Sequence, residues 1–167
     1  MLRSALFPLI CAGLLAQAPD PLAPVRALAG EWVGEASGQP GQGAGTFSFR
    51  PELDGKVMVR YNLTTFPAKD GRPAIRHEDR LTVFSGGGQL KALYLDNEGH
   101  IIRYVVTALE GGAGLVFQSE PQPGPAFRLT YRMQGKDAVT VGFAIAPPGS
   151  TTFTTHVEGL CVRKGGA

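Results

Sequence analysis

This sequence predicts an all-β chain that closes as a ten-stranded antiparallel up-and-down β-barrel. Three observations carry that expectation. Short segments alternate apolar and polar residues with a period of two, as in Phe127, Leu129, Tyr131 and Met133 against Arg128, Thr130 and Arg132. Turn signals separate the segments: Asp54-Gly55, Asp70-Gly71, Gly86-Gly87-Gly88 and Pro147-Pro148-Gly149. No window sustains a helical period. A sheet of ten strands joined by short turns removes its exposed edges by closing on itself.

In chain order, the N-terminus reads as an export leader over residues 1–18. Arg3 supplies a positive start, Ala5 to Leu15 an apolar run, and Ala16-Gln17-Ala18 a small-x-small cleavage site. Pro19 would follow a cut after Ala18, so a cut after Ala16 stands as the alternative. The run is shorter than the ~20 residues of a permanent membrane span, so no stable span is expected once the leader is gone. Cys11 leaves with it, and Ile10 before it does not fit a lipid-anchor motif. Cys161 then remains alone and reads as a small buried residue. Residues 19–27 form a Pro-rich spacer, with one short turn over 25–28 packed under the barrel. The barrel domain is expected over 28–164. Its location would be periplasmic or secreted.

The expected strands are 31–38, 44–50, 56–66, 74–84, 89–96, 100–108, 115–120, 126–133, 138–146 and 151–163. Trp32, the only Trp, sits on the first of them and is expected to plug one end of the barrel. The third strand sets Val57, Val59, Tyr61 and Leu63 against Met58, Arg60, Asn62 and Thr64. The fourth places Ile75, His77, Asp79, Leu81 and Val83 on one face. Which face of each strand points inward is left open by the pattern. Ten strands enclose an interior wider than side chains usually fill, so a ligand cavity is expected.

Gly30-Glu31-Trp32 matches the Gly-x-Trp signature of lipocalin-like barrels. Further stretches are Leu-Asp-Asn-Glu-Gly-His-Ile-Ile-Arg-Tyr at 95–104, Phe-Arg-Leu-Thr-Tyr-Arg at 127–132 and Phe-Ala-Ile-Ala-Pro-Pro-Gly at 143–149. Together they resemble the small bacterial lipocalin-like, nitrobindin-like barrels of the domain-of-unknown-function type (DUF1579-like). The resemblance covers about 28–164 and implies a ten-stranded calycin barrel, without a settled activity. It also implies an alternative cofactor, haem. His156 matches the late axial histidine of the haem-binding barrels in position, although Val157-Glu158-Gly159 after it departs from the expected pattern. A strand histidine bonded to a neighbouring Thr or Glu is the competing reading of His156.

The candidate ligand-binding residues are Trp32, Tyr61, His77, Tyr94, Tyr104, Arg128 and Tyr131. The tyrosines would offer apolar walls with polar tips. Arg128 would clamp an anionic group if it points inward; on an outer face it would serve cross-strand pairing. His77 stands beside Glu78, Asp79 and Arg80. There is no Gly-x-Ser-x-Gly, His-Glu-x-x-His or Cys-x-x-Cys motif, so no catalytic residue is assigned. A net charge of +2 without a basic-aromatic run argues against nucleic acid.

The expected function is therefore an exported, non-catalytic barrel that holds a small apolar or amphipathic ligand, without a cofactor. The haem barrel acting on reactive nitrogen or oxygen species is one alternative. A structural or interaction barrel of the cell envelope is another. Either a monomer or a homodimer fits the sequence.

Overall fold

A computed structural model describes residues 20–34, 44–68 and 71–165. The expected leader, the far end of the expected first strand, the glycine-rich stretch 35–43 and Asp70 lie outside the described residues. Among the described residues the chain forms a short helix α1 (Ala23–Arg26), ten strands and a single 3-10 turn (Glu110–Gly112). The strands are β1 (Gly30–Gly34), β2 (Ala44–Glu52), β3 (Val57–Phe66), β4 (Ile75–Gly86), β5 (Gln89–Asp96), β6 (Ile101–Ala108), β7 (Gly114–Ser119), β8 (Ala126–Met133), β9 (Ala138–Ala146) and β10 (Thr154–Arg163). Each strand pairs antiparallel with its sequence neighbours, and β1 pairs with β10 to close the barrel. This is a lipocalin-like all-β fold.

The turns follow from local chemistry. Between β2 and β3, Leu53, Asp54 and Gly55 all take positive φ, and the Lys56 N–H donates to the Leu53 carbonyl. Asp and Gly tolerate that conformation; Leu53 adopts it with its side chain in solvent.

Register decides which face is interior. On β3 the inward residues are Met58, Arg60, Asn62 and Thr64, opposite Phe47 and Phe49 of β2 and His77, Asp79, Leu81 and Val83 of β4. The more apolar set, Val57, Val59, Tyr61 and Leu63, faces out. Elsewhere the alternation is as the sequence suggests: Ile102, Tyr104 and Val106 face in on β6, and Phe127, Leu129, Tyr131 and Met133 on β8.

One end is closed. Leu22, Val25 and Leu28 around α1 are buried in the core with Trp32, which is fully buried. The indole N–H donates to the Leu28 carbonyl at 2.8 Å. The Arg163 guanidinium stacks on the Trp32 ring at 4.2 Å and donates to the carbonyls of Ala27, Ala29 and Lys136. Trp32 thus plugs the base as expected, and Arg163, which the sequence did not single out, clamps it.

Above the plug the interior is largely filled. Trp32 stacks on Phe47, and Tyr131 makes edge contacts with Phe47, Phe49 and Phe117 at ring centroid distances of 5.5–5.8 Å. Phe117 meets Tyr104, and Tyr104 meets Tyr94. The wide ligand cavity expected from strand number is therefore occupied by aromatic rings and by the Arg60 side chain. What remains open lies near the opposite end.

Candidate functional site

Arg60 stands at mid-height in the barrel, with a side chain only 6% exposed. Its Nη1 donates to the Tyr131 hydroxyl across the barrel, and its Nη2 to Asp79 Oδ1 on the neighbouring strand. Burial works against its charge, but Tyr131 and Asp79 outweigh that and hold the guanidinium firmly protonated. Burial pushes the Tyr131 hydroxyl up to about 12 despite the opposing effect of Arg60. Asp79 is desolvated too, yet Arg60, His77 and Asn62 together keep its carboxyl below the usual range.

From Asp79 a polar chain runs toward the open end. Asn62 Nδ2 donates to Asp79 Oδ2 at 2.8 Å. His77 Nε2 lies 3.4 Å from the same oxygen and 3.1 Å from the Tyr94 hydroxyl, while Nδ1 is 2.9 Å from Glu98 Oε1. The Tyr94 hydroxyl donates onward to Asp96 Oδ2 at 3.2 Å. Asp96 also accepts from His100 Nδ1 and from the backbone N–H groups of Glu98 and His100.

Asp79 raises the His77 pKa most, and Glu98 adds to this against the effect of burial, from 6.5 to about 9. Protonated His77 therefore stabilises the fold fully below pH 6.5, and that contribution is lost as pH rises through about 9. Thermal melts across this window should show Tm falling with pH, and His77→Gln should flatten the slope. An unchanged slope in the variant would place the titration elsewhere.

Beside Arg60 lies a chamber of about 130 Å3. Three inward positions on adjacent strands carry no side chain there: Gly159 on β10, Gly34 on β1 and Gly45 on β2. A Cβ at Gly159 would meet nothing within 4 Å. The rest of the wall is mainly apolar, with Phe47, Phe66, Val141 and Val157, and it includes the Cys161 thiol. Among the described residues, Arg60 Nε is the buried side-chain polar atom without a hydrogen-bond partner.

The sequence-derived candidates separate cleanly. Trp32, His77, Tyr94, Tyr104 and Tyr131 all face the interior, with His77 and Tyr94 toward the open end. Tyr61 faces out; Arg80 lies over its ring at 4.6 Å and its hydroxyl donates to Glu52. Arg128 also faces out, stacked on Phe153 at 3.8 Å and bonded to Gln118. The outer-face reading of Arg128 therefore holds, and no anion clamp forms from it inside the barrel. His156 is exposed at the register irregularity between Thr155 and Val157. That placement keeps His156 off the inner face of the barrel. Arg60, Asp79 and Asn62 were not among the candidates, although Asp79 on a face with Leu81 and Val83 was the visible sign that a buried cation was needed.

No family model matches the chain. Nor does any curated protein.

Proposed function

We propose that the protein is an exported, non-catalytic barrel that binds a small, mainly apolar molecule in the chamber beside Arg60. The single observation that carries this reading is the hollow itself. Gly159, with the inward-facing Gly34 and Gly45 on neighbouring strands, leaves space beside Arg60, a buried residue whose Nε–H lacks an acceptor. A side chain at Gly159 would be the ordinary way to finish this core, because packed interiors leave few voids, whereas a Cβ at Gly34 or Gly45 would press on Cys161 Sγ or Thr64 Oγ1 at 3.0 Å. The chamber is smaller than the ~300 Å3 and upward of drug-sized sites, so the ligand is a small molecule or the head of an amphipathic one. Entry would be from the end opposite Trp32. Export rests on the leader-like reading of residues 1–18.

Gly159→Val tests the proposal. Gly159 has no positive φ, and a Cβ there is unobstructed. Valine suits a strand better than glycine, so stability should hold or rise by up to about 1 kcal/mol. Ligand-observed NMR with a mixture of small fragments should show saturation transfer to the wild-type protein and its loss in the variant. Equal transfer to both proteins, or to neither, would overturn the reading.

A further inference from the structure

Resting on the ligand-binding reading above, we infer that the chamber selects a neutral molecule with a carbonyl-type oxygen, which accepts a hydrogen bond from Arg60 Nε–H. Arg60 Nε lacks an acceptor, but the guanidinium does not lack a counter-charge. Its positive charge is matched by Asp79, which is fully enclosed beside it, and Tyr131 takes a further N–H. A carboxylate entering the chamber would stand close to the Asp79 carboxylate, which is bonded to the same guanidinium. A cation would face the guanidinium itself. A hydrocarbon would leave the Nε–H unpaired in an apolar wall, which is costly for a buried donor. A carbonyl oxygen completes the set of hydrogen bonds and adds no charge. Its apolar body would then cover Phe47, Val141 and Val157.

Cys161 reports on occupancy because its thiol shares the chamber wall. The experiment follows alkylation of Cys161 in the full chain by iodoacetamide, read by peptide mass mapping so that Cys11 is counted separately. Four probes of similar size are titrated: cyclopentanone, methylcyclopentane, butyrate and cyclopentylamine. Cyclopentanone should slow alkylation at a concentration at least about tenfold lower than any other probe, the factor expected for one hydrogen bond to a charged donor. Protection should vanish in Gly159→Val, compared with and without probe in that variant.

Equal or better protection by butyrate or cyclopentylamine would overturn the neutral-ligand inference and leave the chamber as a binding site. Equal protection by methylcyclopentane would do the same, because it would show that Nε selects nothing. If no probe protects, or if protection by cyclopentanone survives in Gly159→Val, both this inference and the ligand-binding reading fall.

Discussion

Arg60→Met should destabilise the barrel by about 3–5 kcal/mol, because it strands a buried carboxylate. The Asp79 side chain is 2% exposed and keeps only Asn62 and His77 as partners once the guanidinium is gone. The Tyr131 hydroxyl loses its donor in the same step. Asp79 then holds its proton more tightly, so the variant should lose most of its remaining stability dependence on that carboxyl in acid. Removing both partners is a different experiment. Arg60→Met combined with Asp79→Leu exchanges the pair for apolar groups, and such exchanges are often close to neutral. The double variant should therefore recover a large part of the loss. Urea midpoints for the wild type, both singles and the double give the coupling energy directly. A single variant within about 1 kcal/mol of wild type, the typical surface range, would show that the pair is solvated in a way its enclosure denies.

Gly114→Ala is the second large effect, for a backbone reason. Gly114 opens β7 with φ of +143°, and a Cβ there would lie 1.9 Å from the Tyr131 carbonyl oxygen on β8. No rotation of a flexible side chain relieves that overlap, since the obstacle is main chain. Strands β7 and β8 would have to part at the residue that holds Arg60 in place. A loss of at least about 3 kcal/mol is expected, in the upper part of the range for point substitutions. Gly135→Ala is the control. It also has positive φ, but a Cβ there meets nothing within 4 Å, so only backbone strain of about 1 kcal/mol applies. Thermal melts of the two variants should differ widely; similar Tm values would mean that the β7–β8 contact yields easily.

The barrel was legible because its signals are local. Alternation defines strands and glycine-rich turns define hairpins, and a meander needs nothing beyond nearest neighbours. The site depended on facts that are not local. On β3 the set Val57, Val59, Tyr61 and Leu63 looks like a core face, yet it faces out, and the mixed set with Met58 and Arg60 faces in. Pairing alone reveals this, since Asn62 stands opposite Asp79 and Arg60 opposite Leu81. Arg128 shows the converse. Its strand alternates plainly, but whether an arginine beside threonine lies inside or out depends on what packs above it, here Phe153. The β10 irregularity that leaves His156 in solvent has no signature in composition. Tyr94, Tyr104 and Tyr131 face the interior while Tyr61 faces out, and none of the four lines the chamber beside Arg60.

The Arg163 clamp has a consequence for how the chain reaches its native state. Arg163 bonds to the carbonyls of Ala27 and Ala29, which are 136 and 134 residues away. The base therefore cannot be sealed until the last strand has left the ribosome. Until then β1 has a neighbour on one side only, and Trp32 lacks its cationic cover. Closing so long a loop costs entropy before any contact returns it. Hairpins can form early in synthesis, but the completed barrel is a post-translational event. If the chain is exported as proposed above, that late closure would keep it open long enough to be threaded.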